Sequence, residues 1–286
     1  MWEKANNWTQ RHEKLAAFLL TIVLFAPLGL IDIFTGYMVQ SNFPVYAVIF
    51  GMGQLALTLI IIRLMQNLKV FSISNFMFKD MGKGFLLAWV GILFAIVVFL
   101  MSLFQLPENS MIAPAPFPLF ASVFATLTTG VFEETLVRGL VLGLLLRMMN
   151  TTKKRILSAC LFSSIFFGLA HLFNIWSVGA VLPVVVQVVN ATAMGLFFSA
   201  LFLRTGTLWI PILVHALINL ASMIFNAITS PDVLQQMNQT QYEPNIIGSI
   251  IGAAVIVLPF LTTGLILLRK VNPDSIAYRF PDANEQ

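Results

Sequence analysis

The chain has 286 residues, of which 58% are hydrophobic and 10% charged, with a formal net charge of +4. A soluble domain carries about 25% charged and about 45–50% apolar residues, so this is the composition of a polytopic membrane protein. The one cysteine, Cys160, excludes an internal disulfide and an all-cysteine metal site, and the basic residues follow membrane loops rather than a nucleic-acid face.

A polar head, residues 1–14, carries Lys4, Arg11, His12 and Lys14. Residues 15–37 form a first apolar span interrupted by Pro27 and Asp32. It exceeds the about 7–15 residues of a signal-peptide core and lacks a small-x-small cleavage site, so it reads as a retained span. Further apolar stretches lie at 45–65, 84–106, 119–146, 156–176, 178–203, 208–228 and 246–268. Each reaches the about 20 residues that cross about 30 Å of hydrocarbon. The expected fold is an all-α membrane protein of about eight transmembrane helices, with a polar catalytic cavity between the helices of the second half. In domain terms, 1–14 is the head and 15–118 holds the first three helices. A core of four helices occupies 119–228, and 229–286 is an outer loop, an eighth helix and a tail.

Loop charge agrees with that count. Residues 40–44, 107–118, Ser177 and 229–245 fall on one side and contain no Lys or Arg. The opposite side holds 15 of the 16 basic residues. By the positive-inside rule, both termini are expected in the cytoplasm of a cell-membrane protein. The loop 69–83 mixes Phe, Met and Lys, and reads either as an interfacial amphipathic segment or as an ordinary connector.

The sixteenth basic residue is Arg138, within Gly130-Val-Phe-Glu-Glu-Thr-Leu-Val-Arg-Gly139. A charge at the bilayer centre costs at least about 2.5–3.5 kcal/mol, so three in six residues must pair or do work. On a helix Glu134 and Arg138 share a face, acid before base. Glu133 is turned about 100° away and needs a second explanation. Other polar residues within spans are Asp32, Asn174, Gln187 and Asn190, and such groups often only hydrogen-bond across a helix interface. His171 lies in the fifth span, and His215 and Asn219 lie one turn apart in the seventh. A buried carboxylate near an imidazole suits the activation of water, and a second His with an amide suits an oxyanion. One Glu and two His, namely Glu133, His171 and His215, also make a possible zinc set, and spacing alone does not choose. At about 1.5 Å per residue, Glu133 and His171 lie about 20 and 24 Å from the cytoplasmic ends of their spans, but His215 only about 12 Å.

Glu133-Glu134-x-x-x-Arg138, Phe167-x-x-x-His171 and His215-x-x-x-Asn219, in this order on separate helices, resemble the CAAX-protease and bacteriocin-processing (CPBP, or Abi) family. That family includes the Rce1-type CAAX prenyl endopeptidases. The resemblance covers about residues 119–228 and implies an intramembrane endopeptidase. It implies that Glu133 and His171 activate water, His215 and Asn219 bind the oxyanion, and Glu134 and Arg138 hold the site together. Family members are described both as metalloproteases and as glutamate proteases, so the cofactor is none or zinc. The expected partners are the bilayer and a peptide or protein substrate. The short chain has a bacterial look, which favours a small peptide such as a bacteriocin or pheromone precursor, while the cytoplasmic-face arginines and lysines suit an acidic or lipid-bound substrate. A non-catalytic bacteriocin-immunity or scaffold role, and a proton-coupled transporter using Asp32, Glu133 and the histidines, are the competing readings.

Overall fold

The computed structural model describes residues 13–70, 73–78, 80–108, 110–113, 115–147, 152–230, 232–234 and 245–280. Most side chains before residue 42 are outside that description, as are the head residues 1–12 with His12, the side chain of Asp32, and Lys79.

Helices dominate. Helix α1 (Glu13–Asn67) covers the first two expected spans and is broken only at Asn42, whose side chain accepts from Val45 N–H at 3.4 Å. Asn is a favoured N-cap, and Pro44 suits the turn it opens. Helices α2 (Met81–Leu87) and α3 (Trp89–Phe104) form one apolar stretch bent by 67° at Ala88. Helix α4 (Pro116–Glu134) starts on a proline, which has no N–H to leave unsatisfied. It runs through a π-helical turn (Thr135–Val141) into α5 (Leu142–Arg147). Then come α6 (Lys153–Ala170), a 3-10 turn (His171–Asn174), α7 (Ile175–Val178), α8 (Val181–Thr205), α9 (Trp209–Met223) and α10 (Phe225–Ile228). Helices α11 (Ile246–Arg269) and α12 (Pro273–Arg279) close the described chain. The described residues form no strand. Met111 and Thr229 make one isolated bridge, which ties the proline-rich loop after α3 to the end of α10.

Five helices among the described residues are long and apolar enough to cross a membrane: Asn42–Asn67, Lys153–Asn174, Val181–Thr205, Trp209–Ile228 and Ile246–Arg269. The bent pair α2–α3 makes six. This multi-pass count is smaller than the expected eight. The helix with Glu133, Glu134 and Arg138 is too polar to qualify, and the first expected span, 15–37, falls where most side chains lie outside the described residues.

The core surrounds the second half. Helix α9 packs on α3 and α4, helix α8 lies between α6 and α11, and α1 packs along α4. One turn before Glu133, Gln54 of α1 binds both Thr129 and Thr128 of α4, at 2.9 and 3.0 Å. The loop 69–83 is neither a plain connector nor wholly a surface segment. Its 3-10 turn (Ile73–Phe76) docks on the start of α9. Leu208 N–H donates to the Asn75 carbonyl at 2.7 Å, and Trp209 Nε1–H to the Phe76 carbonyl at 2.8 Å. Thr207 and Leu208 are thereby fully buried. Helix α9 therefore starts beneath a cap of protein.

Candidate active site

Glu134 ends α4, and the chain then widens into the π-turn, where Leu142 N–H reaches back five residues to the Val137 carbonyl. Such turns are rare, and they recur at functional sites. Within it, Arg138 Nη1 donates to Glu134 Oε1 at 2.9 Å and Nη2 donates to the Gly195 carbonyl of α8 at 3.1 Å. Glu134 and Arg138 are fully buried, so the ion pair read from their spacing is present and desolvated. The approach needs Gly195, since a Cβ there would meet the Ser164 backbone and side chain of α6 at 3.0–3.2 Å.

The same Glu134 oxygen lies 2.8 Å from His215 Nδ1. An oxygen already accepting from Arg138 is a carboxylate acceptor, so Nδ1 carries the proton and donates. His215 Nε2 then faces Glu133 Oε2 at 3.6 Å, an ion-pair distance too long for a direct hydrogen bond. Gly130 makes the meeting possible: a Cβ on it would stand 2.8 Å from the Ile212 carbonyl, one turn before His215. The imidazole is stacked on Phe198 (centroids 5.3 Å, 18°) and meets the edge of Phe167 at 6.1 Å. The Arg138 guanidinium lies over the same two rings, at 4.8 Å from Phe167 and 5.4 Å from Phe198. Two aromatic rings thus floor the polar cluster and fix the planes of the guanidinium and the imidazole.

The adjacent carboxylates differ. Glu134 Oε1 accepts two charge-assisted bonds, whereas Glu133 has only the longer approach of His215; the Oε2 atoms of both are buried without a hydrogen-bond partner. Glu133 and His215 retain 12% and 10% side-chain exposure, whereas Glu134 and Arg138 retain none, so the Glu133–His215 side of the cluster is the less enclosed one.

His171 and Asn219 stand apart from this cluster. His171 closes α6, and its Nδ1–H donates to the Phe167 carbonyl at 2.9 Å, leaving Nε2 as the free acceptor. Its ring meets Phe167 edge-on at 4.8 Å. Among the described residues no hydrogen bond or ion pair joins His171 to Glu133; the imidazole drawn against the glutamates is His215. Asn219 is half-buried, one turn beyond His215. The side chains of Asn174 and Gln187 bond each other at 2.9 Å, as expected of polar groups between helices. Among the described residues no three His, Cys, Asp or Glu side chains are gathered as metal ligands, so Glu133, His171 and His215 do not form a zinc set as placed.

Phe198, Gly195 and Gly130 complete the site, and the sequence alone did not single them out for it. Phe198 is one of 26 phenylalanines, and nothing in its spacing marks it. Gly130 opens the Glu-Glu stretch, and a glycine at that place in an apolar helix is the one signal that could have marked a close helix crossing.

The site is thus a buried Glu–Glu–Arg–His cluster on the helices of a multi-pass membrane protein. Residues 115–221, less than half of the chain, match the family model described as Type II CAAX prenyl endopeptidase Rce1-like. That segment includes all seven residues that carried the resemblance, which therefore holds over it, and the family is one of peptidases. No curated protein and no solved structure matches the chain.

Proposed function

We propose that the chain is an intramembrane endopeptidase resembling the CAAX prenyl proteases, which cleaves a peptide or lipidated peptide with water activated by Glu133. The observation that carries this reading is the division between two neighbouring carboxylates. Glu134 Oε1 is occupied by Arg138 and His215, while Glu133 makes no hydrogen bond at Oε2 and its side chain keeps 12% exposure.

In this reading Glu133 takes a proton from water, the hydroxide oxygen attacks the scissile carbonyl, and Glu133 returns the proton to the leaving amine. His171, its Nδ1–H engaged by the Phe167 carbonyl, turns Nε2 to the same water. His215 and Asn219 donate to the carbonyl oxygen as it gains charge, the roles that the resemblance assigns. With a proton on each ring nitrogen, His215 makes the set of two carboxylates and one guanidinium neutral, which a desolvated site favours. The donor placement gives zinc no ready set, and the carboxylate carries the activation of water. Peptide entry widens the Glu133–His215 edge into the polar cavity.

The catalytic core is 119–228, on a chain of eight spans with cytoplasmic termini. The segregation of basic residues and the helix positions support that topology.

The test is cleavage by full-length protein in liposomes, with a C-terminally prenylated Cys-a-a-X peptide and unmodified peptides as substrates. Glu133→Gln should insert and melt normally but lose cleavage, and cleavage retained by this variant overturns the reading.

A further inference from the structure

On the cytoplasmic side, away from the glutamates, helices α6 and α11 both pack on α8 and leave a trough of about 270 Å³ between their ends. Its floor is Ile156, Leu157, Leu265, Leu268 and Val271, and its rim is Lys153, Lys154 and Arg269. The three cations are solvent-exposed, and among the described residues none is in an ion pair. Helix stability does not explain the lysines. They occupy the first two positions of the 18-residue α6, the end where the helix dipole disfavours positive charge.

We propose that this trough is a binding site for an anionic phospholipid of the cytoplasmic leaflet. The headgroup phosphate sits among Lys153, Lys154 and Arg269, and an acyl chain lies on Leu157 and Leu265. The occupant follows from the pairing of chemistries. A cationic rim above an apolar floor, where two helices leave the membrane, matches a lipid that carries its negative charge directly above its chains. A soluble anion would use the rim and leave the floor wet, and a zwitterionic lipid would bring the chains without the net charge. The α11 wall of the site lies outside the segment that matches the peptidase family.

The test counts lipid adducts by native mass spectrometry of the full-length protein in detergent, titrated with phosphatidylglycerol or phosphatidylcholine. Phosphatidylglycerol should be preferred. Replacing all three rim residues by Gln should weaken it about a hundredfold, near fivefold for each. A control replacing the exposed cytoplasmic Arg63, Lys69 and Lys83 by Gln removes the same charge and should leave binding unchanged. Lys154→Gln alone should show a proportionate loss, whatever the behaviour of the triple variant. Equal losses in rim and control variants would mean diffuse surface charge, and displacement by inorganic phosphate would mean a free-anion site. Either result, or no headgroup preference, overturns the proposal.

Discussion

His215 Nδ1 lies 2.8 Å from Glu134 Oε1, the oxygen that also receives Arg138 Nη1. One carboxylate oxygen therefore sets the positions of a guanidinium and an imidazole that come from two different helices. The neighbouring Glu133 is left without a hydrogen bond at Oε2.

The two glutamates should fail differently when made amides. Glu133→Gln should leave the thermal midpoint close to wild type and lower cleavage by about 10²–10⁴-fold, the range for losing a general base. Glu134→Gln unbalances a buried ion pair, and removing one partner costs about 3–5 kcal/mol. It should lower both the thermal midpoint and activity. Midpoints that fall equally in both variants would contradict the division between the two acids.

Gly130→Ala should be far more damaging than Gly139→Ala. The first places a methyl 2.8 Å from the Ile212 carbonyl and forces α9 away from α4. The second meets the flexible end of the buried Met65 side chain at 3.1 Å and Leu208 Cδ1 at 3.5 Å, so a shift of a few tenths of an ångström relieves it. Overpacking of the first kind costs about 1–3 kcal/mol and here displaces His215 as well. Cleavage and melting of the two variants side by side check the difference.

Phe198→Leu removes the ring beneath both His215 and Arg138. Contacts of these kinds are worth about 0.5–2 kcal/mol each, so a stability loss in that range is expected. Because the ring fixes the imidazole plane without touching substrate, kcat should fall while KM holds. A rise in KM alone would place Phe198 in substrate binding instead.

Trp209→Phe tests the cap that residues 73–76 form over the start of α9. It removes the Nε1–H bond to the Phe76 carbonyl, a loss of about 1 kcal/mol. Hydrogen exchange at the Leu208 amide, which donates to the Asn75 carbonyl, should accelerate. Unchanged exchange there would show that the cap is held by other contacts.

Apolar length locates the helices to within a few residues, and four-residue spacing yields the Glu134–Arg138 pair, because both are properties of a single helix. Which imidazole meets which acid is not legible in the same way. Spacing fixes the face a residue occupies on its own helix, but the facing helix is chosen by crossings such as Gly130 on Ile212 and Gly195 on Ser164. The docking of residues 73–76 on α9 escapes a reading of the sequence for a related reason: backbone carbonyls accept its bonds, and carbonyls leave no mark in composition.

The π-turn stores one residue that an α-helix would not need. Its hydrogen bonds reach back five residues rather than four, so the seven residues Thr135–Val141 turn about the axis roughly as far as six α-helical residues would. Deleting one of them would leave an unbroken α-helix that still keeps Glu133 and Glu134 towards His215, and Leu142, Leu145 and Leu146 in the interior that now encloses them almost completely. What would be lost is the wide turn around Arg138, so a chain one residue shorter here should keep the packing of both helices and lose the placing of the guanidinium. The helix thus tolerates a change of length at the one stretch where its chemistry is concentrated.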